Sequence, residues 1–299
     1  MTIRIGANPI GWSNDDMPEI GGDISLEQCL REAREAGFTG MELGNKFPRE
    51  PKALAAALAP FGMKVVSGWY SSELLRRSAN EEMTALRPHL DLLKAMGSRV
   101  LVFCETSNAI HGQKAVPLAR RPVLPASEWG EFGRRLTEVA KRVLDEGVRV
   151  VYHHHMGTIV ESDEEVGLLM AHTGPAVGLL YDTGHSAFAG GDPVALVRRH
   201  AQRIVHVHCK DTRPDMLARA RREDLSFMQA VVDGIFTVPG DGCIDYPTIL
   251  KVLADDGYAG WLVVEAEQDP AKAHPLTYAR LGFCNLARLA LQAGLTIAP

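Results

Sequence analysis

The 299-residue sequence predicts a single-domain (β/α)8 TIM barrel, and three observations predict it. Short β-branched runs recur eight times at wide, fairly regular intervals. Helical patterns separate many of these runs, which favours parallel pairing through crossover connections. Eight such units in about 300 residues match the size of a closed barrel. An open doubly wound sheet is the alternative, but no GxGxxG or GxxxxGK[ST] turn follows a predicted strand.

The elements follow from hydrophobic runs and periodicity, taken along the chain. The predicted strands are IRIGA near residue 4, GMELG near 41, KVVSGW near 66, RVLVF near 100, VRVVYH near 150, VGLLYD near 180, RIVHVH near 206 and WLVVEA near 263. Helical patterns, several of which end at glycine, cover residues 26–37, 50–62, 83–97, 126–147, 192–201 and 246–257.

The longest stretch without a predicted element, residues 211–245, follows the seventh strand and contains PGDG. Long ordered loops at this face of a barrel usually cover or line the functional site. We therefore expect an irregular segment over the mouth, inside one domain that spans residues 1–299.

The composition excludes several classes of protein. With 46% hydrophobic and 23% charged residues, the chain is typical of a soluble globular protein. The net charge of −5 provides no field for a polyanion, so nucleic acid is not an expected partner. Neither a membrane span nor a signal peptide is recognisable, which predicts a cytoplasmic protein without a membrane partner. Five separated cysteines without a CxxC pair argue against a disulfide framework and a thiolate zinc site.

Polar residues stand at the ends of the last four predicted strands, in VVYHHHMGT, LLYDTGH, IVHVHCKD and LVVEAEQD. Because catalytic groups of a barrel come from the carboxyl ends of its strands, these side chains should meet at one mouth. Imidazole and carboxylate together suit a divalent cation such as Mn, Co, Fe or Zn. The proposed metal ligands are His153, Asp182, His208 and Glu265.

Each of these residues has a structural alternative. Asp182 before Thr-Gly is typical of a helix cap, and His208 or Glu265 alone could be hydrogen-bonded in the barrel interior. Their joint occurrence favours the metal, because unpaired buried carboxylates are costly. His154 and His206 point away or lie deeper, and we interpret them as structural or supporting residues.

Alternation along a strand places His155 on the face of His153, and Glu267 on the face of Glu265. His155 is the favoured acid/base, with Glu267 as its rival or partner. Further candidates follow the strand ends. Lys46 and Lys210 could stabilise an oxyanion or protonate a leaving hydroxide. Asn8, Trp12 and Trp69 could hold a polyhydroxylated ring. His185 could orient Asp182 or contact the substrate.

Seven segments resemble the inosose dehydratase family of the xylose-isomerase-like TIM-barrel superfamily. They are NPIGWSNDDMPEIGG (8–22), ELGNKFPRE (42–50), YHHHMGT (152–158), LLYDTGH (179–185), HVHCKD (206–211), FTVPGDGCIDY (236–246) and GWLVVEAEQDPAKAHP (260–275). The resemblance implies removal of water from 2-keto-myo-inositol (scyllo-inosose) to give a trihydroxycyclohexane-1,2-dione in myo-inositol breakdown. It also implies Mn or Co, and in some members glutathione, for which the sequence shows no site.

The superfamily binds its metal with Glu, Asp, His and Glu from strands five to eight. That pattern carries over to Asp182, His208 and Glu265. At the fifth strand the chain departs, because the run that begins at His153 stands where a Glu-x-His would be. Either the His153 imidazole replaces the carboxylate or the first ligand lies elsewhere, with Glu161 as a less favoured stand-in.

The expected reaction begins with removal of the proton alpha to the ketone, passes through a stabilised enediolate and ends with loss of the beta hydroxide. Three alternatives stay open: a ketose isomerase or epimerase of the same superfamily, an abasic-site nuclease, which the acidic charge disfavours, and a non-catalytic cyclitol-binding barrel. The expected partner is a small cyclitol ketone, and a homo-oligomer is compatible with the fold.

Overall fold

The computed structural model describes residues 1–298, and it contains a closed parallel barrel with helices outside. The eighth strand pairs with both the seventh and the first, which closes the cylinder. The barrel strands are β1 (Thr2–Ala7), β2 (Gly40–Leu43), β3 (Lys64–Ser72), β4 (Val100–Glu105), β5 (Arg149–His153), β6 (Gly178–Asp182), β7 (Ile204–Cys209) and β8 (Trp261–Val264). The (β/α)8 prediction is confirmed.

Eleven α-helices lie in residues 1–298. They are α1 (Leu26–Ala36), α2 (Pro51–Leu58), α3 (Ala79–Ala95), α4 (Trp129–Asp145), α5 (Asp163–His172), α6 (Thr183–Phe188), α7 (Pro193–His200), α8 (Pro214–Arg222), α9 (Phe227–Val232), α10 (Tyr246–Asp255) and α11 (Pro275–Gln292).

Local chemistry sets the ends of these helices. Helix α3 begins four residues before its predicted start because Ser78 and Glu81 form a capping box. Helix α1 starts after the cap Ser25 and ends at Gly37, whose φ of 114° is costly for a residue with a side chain. The predicted helices are thus present, with ends shifted by a few residues.

The apolar core has two layers, inside and outside the strands. The outer layer is the large core between the strands and the helices. Inside the barrel lies a small cluster of Val102, Val151 and Leu180. His153 and Asp182 follow two of these residues at a spacing of two, so they face the interior one step nearer the mouth.

The prediction that residues 211–245 are irregular is wrong. This segment contains α8, α9 and a small antiparallel ribbon that joins Asp211–Thr212 to Phe236–Thr237. Its apolar side chains form a separate core with Met156 and Phe188. The short helices escaped prediction because their hydrophobic pattern is completed only by packing against the barrel rim.

No helix among residues 1–298 is long and apolar enough to cross a membrane. The five cysteines are free, and three of them are buried.

Candidate active site and metal centre

Strand register brings the predicted ligands together. Asp182 is the direct neighbour of His208 across β6 and β7, and His208 lies beside Val263 of β8. Glu265 comes two residues after Val263, so its side chain faces the same interior. His153 ends β5 and lies next to Leu180. Four consecutive strands therefore place their polar ends at one point of the barrel mouth.

Four buried atoms converge there without a hydrogen-bond partner: His153 Nε2, Asp182 Oδ2, His208 Nδ1 and Glu265 Oε2. Asp182 Oδ2 lies 3.4 Å from His153 Nε2 and 3.5 Å from His208 Nδ1. The carboxylate of Glu265 touches His208 Nδ1 without hydrogen-bond geometry. Buried polar atoms normally have partners, and this donor set is one that borderline divalent cations prefer. His153, Asp182 and His208 offer ligand atoms within 4.8 Å of one another, and Glu265 lies against His208, so the chemistry of these four residues suits a divalent cation.

Asp182 serves two functions at once. One oxygen, Oδ1, accepts a hydrogen bond of 2.8 Å from the His185 backbone N–H and caps α6. The other oxygen, Oδ2, points into the convergent cluster. The helix-cap interpretation and the ligand interpretation of Asp182 are thus compatible, because they use different oxygens.

Glu42, which the sequence analysis did not single out, supports His208 from below. It is buried on β2 and accepts a hydrogen bond of 2.8 Å from His206 Nε2, while His208 Nε2 lies 3.0 Å away. Asn8 Nδ2 donates to it over 2.8 Å, and Ser67 Oγ donates as well. Burial alone would raise the pKa of Glu42, but the two histidines hold it well below its usual range.

Glu42 also fixes the chemistry of His208. A hydrogen bond from Nε2 to Glu42 leaves Nδ1 as the ring nitrogen that faces Asp182 and Glu265. The sequence contained a signal for this residue, since Glu42 is a lone charge within the apolar strand GMEL.

Lys210 is fully buried between carboxylates on the other side of the cluster. Its Nζ lies 2.8 Å from Glu265 Oε1, 2.7 Å from Glu267 Oε1 and 3.1 Å from His185 Nε2. Burial alone would lower the pKa of Lys210, but Glu265 and Glu267 raise it above its ordinary value. Burial raises the pKa of Glu267 to about 7, against the pull of Lys210. The site thus contains a fixed ammonium beside a carboxyl group that binds a proton readily.

His155 lies beside the four unpartnered donor residues, and its tautomer is set by the backbone. Its Nδ1 is 2.9 Å from the carbonyl of Met156, which it can approach only as a donor. The remaining nitrogen, Nε2, therefore carries a lone pair. Burial and the neighbouring His111 hold the pKa of His155 well below its ordinary value, so the ring is neutral.

The folded segment 211–245 shields this group from water. The Phe227 ring centre lies 5.0 Å from that of His155, and Phe236 lies 5.6 Å from His185. Lys210 Nζ lies 4.6 Å from the centre of the Phe236 ring. The segment thus covers His155, His185 and Lys210, as its position after the seventh strand predicts.

A cavity of about 250 Å³ opens above the cluster, a volume suited to one small molecule. Asn8 and Trp69 line it, and the Trp69 ring lies edge-on to His153 and His155 at 5.4 and 5.5 Å. The other predicted residues on its wall are His153, His155, His208, Glu265 and Glu267. Asp182, Lys210 and His185 lie directly behind this wall.

The structure places other candidates away from this cavity. Lys46 is exposed, and its Nζ donates to the carbonyls of Gly21 and Ile24, so it ties down a surface loop. Trp12 is buried against α1 and donates to Glu32 over 2.8 Å. These two positions are corrections to the predicted site, because neither side chain reaches the cavity.

Glu161, the alternative ligand of strand five, also lies elsewhere. It accepts a hydrogen bond of 2.6 Å from the Gly157 N–H and lies 3.2 Å from Arg121 Nε. It does not line the cavity that holds His153.

Comparison with known proteins agrees with this architecture. The family model "xylose isomerase-like TIM barrel" matches residues 30–283. The chain is 57% identical to the rhizopine catabolism protein MocC of Rhizobium meliloti, over 98% of this chain and 90% of that protein. It is 46% identical to the inosose dehydratase of Geobacillus thermodenitrificans, over 93% and 94% of the two chains.

Solved structures share the fold at low identity. The IOLI protein, described with a bound zinc atom, superimposes with a TM-score of 0.64 at 15% identity, over 97% of this chain and 98% of that one. The chain belongs to the xylose isomerase-like TIM barrel family, in the branch that contains the inosose dehydratases.

Proposed function

We propose that this protein is a hydro-lyase that removes water from a cyclitol ketone, with 2-keto-myo-inositol as substrate and a trihydroxycyclohexane-1,2-dione as product. Identities of 43–46% to inosose dehydratases over most of the chain support this reaction. The observation that carries it is a cavity whose wall brings a neutral histidine beside three of the unpartnered donor residues, with the fourth, Asp182, directly behind them.

The proposed cofactor is one divalent cation, with Mn or Co as the expected metals. His153, Asp182, His208 and Glu265 would hold it. Such a cation polarises a carbonyl and stabilises negative charge that develops on its oxygen. The two imidazoles are neutral and the two carboxylates balance the charge of a divalent ion. A cation held in this way is a stronger Lewis acid than one held by three carboxylates, because less negative charge surrounds it.

His155 is the proposed base. Its Nε2 lone pair belongs to a neutral ring that Met156 holds by the other nitrogen, and Trp69 and Phe227 flank it. It would take the proton alpha to the ketone. The electron pair of the broken C–H bond then forms the C=C bond of an enediolate. A positioned histidine of this kind typically contributes about 10²–10⁴-fold in rate.

Glu267 is the proposed acid. With a pKa of about 7 and a position on the cavity wall, it can give a proton to the beta hydroxyl, which then leaves as water. Lys210 holds Glu267 in place over 2.7 Å and compensates its charge once the proton has gone. The C–H and C–O bonds break and a C=C bond forms, and the resulting enol becomes the dione by tautomerisation, so the reaction balances without any further reactant.

A substrate of rhizopine catabolism is the second candidate, because MocC is 57% identical to this chain. An isomerase activity stays an open alternative. The glutathione requirement, the homo-oligomer and the cytoplasmic location stay predictions from the sequence.

The decisive experiment strips the protein with a chelator and adds back Mn, Co, Mg or Zn singly. Conversion of 2-keto-myo-inositol is followed by absorbance and by mass, and cation binding is measured separately by the shift in melting temperature. His153→Ala tests the fifth-strand ligand, and His172→Ala, at the exposed end of α5, is the control.

We expect cation-dependent loss of one water from the wild type and the control. His153→Ala should lose cation affinity together with the thermal shift. A rearranged ketose of unchanged mass would instead identify an isomerase. Full cation affinity in His153→Ala would contradict the proposed ligand set.

A further inference from the structure

The loop after β4 brings His111, a residue that no pattern in the sequence singled out, to the wall of the central cavity. Its ring lies 5.1 Å from that of His155 and 6.4 Å from that of Trp69, edge-on to both. It therefore lies beside the proposed base, on the wall of the same cavity.

The tautomer of His111 follows from its surroundings. Its Nδ1 is buried and has no hydrogen-bond partner among residues 1–298. A buried N–H without an acceptor is rarer and more costly than a buried lone pair, so the proton belongs on Nε2. Burial also lowers the pKa of the ring, which keeps it neutral. His111 thus offers an N–H donor at the cavity.

The backbone holds this loop in place through Gly157. The Ile110 N–H donates to the Gly157 carbonyl over 2.8 Å. Gly157 has a φ of 74°, and a Cβ there would come within 2.9 Å of the His111 backbone nitrogen. The glycine of the HHHMG run therefore lets the loop pack closely enough to deliver His111.

We propose that His111 contacts the substrate and donates a hydrogen bond from Nε2 to a hydroxyl or ketone oxygen carried by the cyclitol ring. The identity of the substrate in this inference rests on the proposed function. The binding of a cyclitol at this site does not depend on the proposed reaction. His111 is a specificity residue for a polyhydroxylated ligand, because the donated bond rewards an oxygen at that position and an apolar group would leave the N–H unpaired.

The test compares His111→Phe, which keeps the ring contacts and removes the donor, with His111→Gln, which restores an N–H at a similar distance. His172→Phe, at the exposed C-terminal end of α5, is the control. Binding of myo-inositol, an unreactive probe, is measured by calorimetry on the Mn-loaded protein. KM and kcat are measured with 2-keto-myo-inositol.

We expect His111→Phe to weaken myo-inositol binding and raise KM by about tenfold, as loss of one hydrogen bond predicts. His111→Gln should recover most of that loss, and Mn affinity should be unchanged in both variants. Unchanged binding and KM in His111→Phe would overturn the proposal. A wild type that binds myo-inositol without turnover overturns only the proposed function, whereas one that binds no cyclitol overturns both.

Discussion

At the scale of single residues, this site depends on which atom of a side chain is left free. Asp182 uses one oxygen as a helix cap and presents the other to the cluster. His155 gives one nitrogen to a carbonyl and keeps a lone pair on the other. In each case a local hydrogen bond decides the chemistry of the remaining atom.

Glu42 allows a direct test of this principle. We expect Glu42→Gln to lower Mn affinity by about 10–100-fold, because an amide holds the Nε2–H of His208 less strongly than a carboxylate does. The measurement is a calorimetric titration of the metal-free protein. Glu27→Gln, at an exposed position in the first turn of α1, should bind as the wild type does. Equal affinity in the two variants would contradict a role for Glu42 in orienting His208.

His155 makes a separate prediction. His155→Gln should reduce kcat by about 10²–10⁴-fold, the usual contribution of a general base. Because the ring is not among the four convergent donors, Mn binding should persist. Kinetics and titration on the same preparation separate the two effects. A variant that loses its metal along with its activity would show that His155 is a ligand.

At the scale of elements, the connections between strands and helices complete the site. The segment 211–245 encloses His155 and Lys210 through Phe227 and Phe236. The loop after β4 contacts Gly157, which lies in the connection that follows β5. The strands supply the four unpartnered donor residues, while segment 211–245 packs on His155 and Lys210 and the loop after β4 adds His111 to the cavity wall.

Gly157→Ala tests the contact between these connections. The new Cβ would meet the His111 nitrogen at 2.9 Å, so the loop must move and KM should rise. The left-handed backbone also costs about 1–2 kcal/mol of stability for any residue with a side chain. Gly147→Ala is the matched control, because its φ is 85° and its Cβ meets open space.

Melting curves and KM values separate the two effects. Both alanine variants should lose stability, and only Gly157→Ala should raise KM. If Gly147→Ala raised KM equally, the backbone strain rather than the loop contact would be responsible.

At the scale of the whole molecule, the barrel tolerates buried charge only where partners surround it. Glu161 shows that burial can outweigh such partners, since it accepts a hydrogen bond from the Gly157 N–H and lies beside Arg121. Burial raises its pKa to about 7, although Arg121 Nε lies 3.2 Å away and opposes the rise. Between about pH 4.5 and pH 7 the folded chain therefore holds a proton that the unfolded chain has lost.

The sign of the pH effect follows. In that window the native state binds more protons than the unfolded state, so the contribution of Glu161 to stability falls as the pH rises. We expect the stability of the wild type relative to Glu161→Gln to decrease between about pH 5 and about pH 8. Urea denaturation at each pH measures this difference. A constant difference would show that the pKa of Glu161 is not raised.

The sequence by itself determined the barrel and much of the cluster. Eight apolar runs separated by helical patterns predict a closed parallel barrel, and alternation along β5 to β8 predicts which polar residues face inward. The convergence of His153, Asp182, His208 and Glu265 follows from that register. The helix ends could also be predicted to within a few residues, because capping side chains bind backbone groups only a few positions away in the chain.

Only the tertiary structure decided which other residues meet at the site, because local sequence patterns do not predict contacts between residues far apart in the chain. Glu42 meets His208 across 166 residues, and His111 reaches the cavity by the course of a loop. Lys46 and Lys210 looked alike in sequence, yet one anchors a surface loop and the other is buried among carboxylates. Packing between distant segments, which no periodicity records, fixed each of these positions.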